Sequence, residues 1–420
     1  MEINYKSIKT DLQIWKFCFY GFFKNLKFFE PYLLIYLMGM GLNLFQVGVL
    51  LSIREGITYI FEVPSGILAD HYGKKKELLL CFIFYIISFV FFFWGKNFAV
   101  VAIGMVFFGF GEAFRSGTHK AMILSYLEHK GWYEHKGYVY GRTRSYSLLG
   151  SSLSAFASIL LVLNLPTLRW VFLISIVPYI LDFILIASYP QFLDERNVTQ
   201  RSFSAFWRAS SESLKSISKN AQIKKIVMSA ASYDGVFKTI KDYIQPILST
   251  IVLAAGIGSI MSFEGEQSVK IYLGLIYGVF YIFSSQASKN IYKVTNRFTP
   301  EVVYNKMYDL MGFALLILAF SIYMEYLLLT IGMYFVLFLM MDARRPVFVD
   351  VSSDYMKKEQ RVTVLSIESQ IRALLMVMMA PLFGWIADTF SLTILFLIIG
   401  VILLIANRFL SVENIKKVIE

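Results

Sequence analysis

Apolar residues run through this chain in blocks of about twenty, the length an α-helix needs to cross the hydrocarbon of a bilayer. The blocks fall near 14–39, 45–69, 78–95, 98–127, 143–163 and 167–189, then near 226–256, 270–290, 305–323, 326–351, 362–387 and 391–409. They predict about twelve transmembrane helices in two groups of six. Between the groups, 190–225 is rich in Ser and basic residues, and 203–217 has the spacing of an amphipathic helix lying on a membrane surface. The reading is therefore an all-α membrane protein with an N-terminal six-helix bundle over 1–189, a cytoplasmic linker over 190–225 and a C-terminal six-helix bundle over 226–420. The polar start of the chain, 1–11, leads into an apolar block without a small-residue cleavage pattern, so no removable signal peptide is expected.

Composition agrees with the pattern. Of the 420 residues 57% are hydrophobic and 16% charged, against roughly 25% charged in soluble domains. The formal charge is +11, but the basic residues sit in short blocks between apolar runs, which favours anionic lipid headgroups over nucleic acid as the partner. Those blocks occupy alternate connections, such as Lys74, Lys75 and Lys76, then Lys130 and Lys136, while the connections between them are nearly free of lysine and arginine. The positive-inside bias then places both termini in the cytoplasm, in a multi-pass protein of the cytoplasmic (inner) membrane. Cys18 and Cys81 lie inside apolar runs and suggest neither a disulfide nor a metal site. No Walker loop, H-E-x-x-H or G-x-S-x-G is present, which argues against ATP drive, an enzyme or a bound cofactor.

The most specific stretch is the basic turn between the second and third blocks. Gly66, Asp70, Gly73, Lys74, Lys75 and Lys76 follow the spacing G-x-x-x-D-x-x-G-[K/R]-[K/R]-[K/R]. Gly66 is expected to let a neighbouring helix approach, and Gly73 to supply the dihedrals of a tight reversal. An internal repeat accompanies it. Gly21-Phe22-Phe23-Lys24-Asn25-Leu26-Lys27, followed by Pro31, recurs as Gly235-Val236-Phe237-Lys238-Thr239-Ile240-Lys241, followed by Pro246, and Arg115 with Tyr126 echoes Arg344 with Tyr355. The turn resembles the helix 2 to 3 loop of the major facilitator superfamily of transporters, and the resemblance covers essentially the whole chain. It implies two pseudosymmetric six-helix bundles, a small-molecule substrate held between helices 1, 4, 7 and 10 near the midplane, alternating access and a monomer. It also implies a gating role for Gly66, Asp70, Gly73, Lys74, Arg115 and Arg142. Two departures stand out: 285–293 keeps the basic ends of the equivalent turn without its Gly and Asp, and 150–155 lacks the proline of drug–proton exchangers. A non-transporting sensor or scaffold on the same fold is the competing reading.

Ionisable groups at membrane depth are expensive and usually face a bundle interior or a cavity. Lys24 and Lys27 are three residues apart, as are Lys238 and Lys241, so each pair is expected on one helical face. With Glu30, Tyr233 and Arg344 they form the candidate substrate set, suited to an anionic, zwitterionic or amphiphilic solute. For Lys24, snorkelling to the membrane face is an alternative. Proton coupling needs a carboxyl group that loads and unloads, for which Glu30, Glu55, Glu112 and Asp342 are candidates. Glu112 lies one turn before Arg115, and pairing with it is the simpler expectation. His119, beside Arg115 and Lys120, is expected to pack rather than bind metal.

Overall fold

The computed structural model describes residues 5–194, 221–254, 265–355 and 361–412. The surface helix expected at 203–217 lies outside the described residues. Ten helices among those residues are long and apolar enough to cross a membrane. The two other predicted spans, 14–39 and 226–256, are each interrupted.

The first span is α1 (Leu12–Lys24), a 3-10 turn (Glu30–Tyr32) and α2 (Leu33–Gly39). The seventh is α9 (Ala221–Ile240), a 3-10 turn (Lys241–Tyr243) and α10 (Ile244–Ala254). Pro31 disfavours a helical Glu30 and withholds an N–H, so the ladder cannot run through it. Asn25 closes α1 instead, its Nδ2 donating to the Gly21 carbonyl at 2.6 Å. The lysine pairs therefore do not share one face of a continuous helix, as the spacing suggested: Lys24 is the last residue of α1 and Lys27 lies beyond it, while Lys241 opens the turn after α9.

The other helices are α3 (Leu44–Tyr72), α4 (Lys74–Trp94), α5 (Phe98–Arg115), α6 (Thr118–His129), α7 (Lys136–Asn164) and α8 (Trp170–Ala187). In the second half they are α11 (Glu266–Asn290), α12 (Pro300–Tyr323), α13 (Leu327–Asp354), α14 (Arg361–Thr389) and α15 (Leu392–Leu410). The predicted fourth span breaks at Gly117, whose φ of +79° ends α5 and starts α6.

The chain forms two compact units, 1–32 with 53–203 and 33–52 with 204–420. In the first, α4 packs on α5 and α8, and α1 on α7 and α8. Its interior is aromatic: Phe82, Tyr85, Phe89, Phe92 and Tyr179 are all buried. Gly21 and Gly150 bring α1 and α7 together, since a Cβ on either would collide with the other helix. In the second unit, Gly235 faces Met379 of α14, so the glycine of each repeated motif meets the fifth span of its own half. Segment 33–52 packs with the second unit. Asp388 at the end of α14 accepts from Leu44 N at 3.1 Å and Phe45 N at 2.7 Å, and the backbones approach so closely at Gly48 and Gly384 that a Cβ would strike the opposing chain. The carboxylate of Asp388 thus caps the start of α3.

Candidate functional site

In the first unit, Lys24 is 9% exposed and terminates α1, where the helix dipole is negative and favours an ammonium. The Tyr179 hydroxyl donates to the Lys24 carbonyl at 3.2 Å, tying α8 to the break. Lys27 Nζ lies 5.8 Å from the centre of the Phe108 ring, and the Arg54 guanidinium 5.9 Å from the same ring. Arg54 pairs with Glu55 at 2.8 Å. Glu112 is ion-paired with Arg115, and its other oxygen accepts from Tyr85 at 2.7 Å. Two of these cations, Arg54 and Arg115, are thus paired with carboxylates, and Lys24 and Lys27 make no ion pair within 4.0 Å among the described residues. Glu30 begins the 3-10 turn, half-buried.

In the second unit, Lys241 pairs with Asp242 at 3.1 Å, and Asp242 accepts from Tyr277 at 2.8 Å. Gln245 donates to the Tyr277 hydroxyl at 3.2 Å and accepts from Leu34 N at 2.7 Å, so the break after α9 holds the first turn of α2. Lys238 lies half-buried in the last turn of α9. Arg344 is 1% exposed and caged by rings, its guanidinium 4.2 Å from the centre of Tyr233, 3.9 Å from Tyr304 and 5.5 Å from Tyr308. It donates to Ser229 Oγ at 2.8 Å. Tyr233 and Arg344 are thereby brought together, but as each other's packing partners. One helix away, Arg372 bridges Glu368 at 2.8 Å and Asp234 at 3.7 Å. Asp342 lies half-buried on α13.

The residues assigned to gating separate. Gly73 has φ +105° and no room for a Cβ, because the Asp194 carboxylate fills that position. Asp194 accepts from Lys75 N at 2.9 Å, and Lys75 Nζ donates to the Tyr189 carbonyl at 2.9 Å. Lys74 opens α4 half-buried. Arg142 is directed to the N-terminal segment, donating to the Lys9 carbonyl at 3.1 Å and stacking 4.3 Å over Trp15. At Gly66 the expected close helix approach is absent: no heavy atom among the described residues lies within 4 Å of where its Cβ would stand. The side chain of Asp70 lies outside the described residues. His119 packs as expected, stacked on Tyr20 at 3.6 Å and hydrogen-bonded to Tyr189 at 3.2 Å.

The family model for the Major Facilitator Superfamily matches residues 16–367. The chain belongs to that superfamily. It is thus a multi-pass membrane transporter of small molecules, not an enzyme. A relative in Bacillus subtilis (strain 168), the uncharacterized MFS-type transporter YxaM, is 23% identical over 381 residues, covering 90% of this chain and 89% of the relative. Among solved structures, a mutant of the nucleoside transporter NupG matches with a TM-score of 0.79 at 11% identity, over 96% of this transporter and 99% of that chain. The unmutated NupG structure gives 0.77 at 10% identity, over 96% and 100%. These likenesses fix the fold.

Several acids of the transporter fall outside the sequence-derived set, Asp234, Asp242 and Glu368 in the second unit and Asp194 and Asp182 in the first. Asp194 lies just past the sixth block, where no spacing links it to Gly73. Asp182 is the lone charged residue between 170 and 187, and a single carboxyl in so apolar a run is a signal in itself.

Proposed function

We propose that this superfamily member is a secondary active transporter moving a small organic solute, anionic, zwitterionic or amphiphilic, across the cytoplasmic membrane by alternating access coupled to protons. The observation that carries the reading is the repeated break. Each half interrupts its first span at the same motif, with Lys24 and Lys27 at one break and Lys238 and Lys241 at the other. Cations retained at equivalent places in the repeated motif speak for a ligand of opposite charge. Glu30, Glu55, Glu112 and Asp342 are the carboxyl groups assigned to coupling, and for Glu55 and Glu112 loading a proton requires opening the ion pairs described above. Gly73, Lys74, Arg115 and Arg142 serve the gate through contacts that break at modest cost, together with Gly66 and Asp70. The alternation of basic connections supports termini on the cytoplasmic side, and a monomer is the working unit.

The test is flux into proteoliposomes for a panel of organic anions, zwitterions, amphiphiles, sugars and nucleosides, with and without a proton gradient. Uptake of a charged member, accelerated by the gradient, is expected. A charge-assisted contact contributes about 1.5–3 kcal/mol, so Lys238→Gln should weaken affinity about ten- to hundredfold. Unchanged affinity in both Lys238→Gln and Lys241→Gln would remove the anion site, and flux indifferent to the gradient would remove the coupling.

A further inference from the structure

Asp182 is 0% exposed, and neither carboxylate oxygen has a hydrogen-bond partner among the described residues. Its helix shows why it points inward. Ser175, Pro178, Tyr179, Asp182 and Ile186 form the buried face of α8, while Val177, Ile180, Leu181 and Ile184 form the exposed one. A buried acid with no donor near it is costly as an anion and much cheaper as a neutral group.

The groups facing it come from three helices. From α1 the Lys24 ammonium is the charge that acts on it. Tyr20, one turn before Lys24, is 5% exposed with a hydroxyl that also lacks a partner. From α8 itself come Tyr179 and, just past its end, Tyr189. Tyr85 of the adjoining helix α4 packs on Tyr179 with ring centres 5.2 Å apart, and the charged groups acting on Lys24 are Arg115 and Glu112 of α5 and Lys27 beyond the end of α1. Between Ser147 and Asn164, α7 carries no ionisable side chain. Lys24 makes no ion pair within 4.0 Å among the described residues. Asp182 and Lys24 thus lie buried on two packed helices that the Tyr179 bond to the Lys24 carbonyl ties together, with no ion pair between them. Attraction in so poorly screened a place would draw two full charges together.

We propose that Asp182 and Lys24 form a switchable pair that binds one proton, which deepens and rests on the proton-coupled reading above. With the proton on the Asp182 carboxyl, the Lys24 ammonium is free to hold the anionic group of the solute. When that proton leaves to the aqueous phase on one face, the carboxylate takes the ammonium and the solute loses its partner. A proton from the opposite phase restores the first state, so nothing but the proton and the solute is exchanged. Tyr179, bonded to the Lys24 carbonyl, keeps α8 and the break in register while the pair switches. Proton and anion then travel together.

The test needs no solute. In the full chain reconstituted in lipid, the infrared difference spectrum between mildly acidic and alkaline buffer should show a protonated-carboxyl band lost on alkalinisation. That band should be absent in Asp182→Asn and displaced in Asp182→Glu, which keeps the acid should the first variant fail to fold. A second arm measures melting temperatures of Asp182→Asn, Lys24→Gln and the double variant. Their effects should add in acidic buffer and fall clearly short of additivity in alkaline buffer, where the pair forms. An unchanged band in Asp182→Asn, or additivity at both pH values, overturns the proposal. Either result leaves gradient-driven flux intact if the coupling reading is right, whereas flux indifferent to the gradient removes coupling and leaves the band in place.

Discussion

Arg344 shows how a buried cation is held without a carboxylate. Among the described residues it has no ion-pair partner within 4.0 Å, and its Nε makes no hydrogen bond. What compensates burial is ring electron density from Tyr233 and Tyr304 on opposite neighbouring helices, worth about 0.5–2 kcal/mol per ring when desolvated, and the fork to Ser229. Lysine has neither the plane nor the fork. Arg344→Lys should therefore destabilise the protein by about 1–3 kcal/mol, read as a lower melting temperature in detergent. A residue that served only to contact solute would leave melting unchanged and weaken affinity alone. The candidate was legible in the chain, because the echo of Arg115 with Tyr126 in Arg344 with Tyr355 marks it. The cage was not: Tyr233, Tyr304 and Tyr308 come from two helices far apart in sequence, and no spacing connects them.

Among the elements, continuous helices were read closely, since an apolar block in lipid has only one way to satisfy its backbone. The interrupted ones were not, because apolar residues lie on both sides of the charged motif in 14–39 and 226–256 while the ladder stops at local chemistry, Asn25 with Pro31 in one case and the Lys241–Tyr243 turn in the other. The pairing of α3 with α14 was equally hidden. It rests on Gly48 and Gly384 at the crossing and on Asp388 at the end, where a carboxylate meets two free N–H groups and the positive pole of α3. Such a cap contributes about 0.5–2 kcal/mol. Asp388→Ala should accordingly shift the balance toward separation of this helix pair about two- to thirtyfold. Leu51, 9% exposed on α3 next to Ser52, whose hydroxyl donates to the Val377 carbonyl of α14, provides the probe as Leu51→Cys, because the native Cys18 and Cys81 are both buried. Its labelling by a membrane-impermeant thiol reagent should accelerate by that factor in Asp388→Ala, and an unchanged rate would mean that the cap does not govern separation.

For the molecule as a whole, duplication is the organising fact, and it was visible because charge is scarce in lipid. A lysine that survives twice at one place in a repeated motif is hard to miss, whereas Asp182 has no counterpart in the repeat to draw attention to it. The same scarcity governs orientation. Each exposed lysine near the anionic leaflet gains about 1 kcal/mol, while one carried to the wrong side forgoes that gain at every crossing. Connections rich in Lys and Arg alternate with connections nearly free of them along the whole chain, so the preferences of successive loops add rather than cancel. Only an even number of crossings is compatible with basic stretches near both ends, as at Lys6 and Lys9 and again at Lys416 and Lys417. Reporter fusions active only in the cytoplasm should therefore report from either terminus and from the 190–225 segment, and stay silent when placed in 164–169. Replacing Lys74, Lys75 and Lys76 together with glutamine should weaken that bias at one turn and leave the remaining basic connections to hold the orientation, so that the reporter pattern survives with reduced yield. A terminal reporter active on the opposite face in the unaltered chain would break the link between charge alternation and topology.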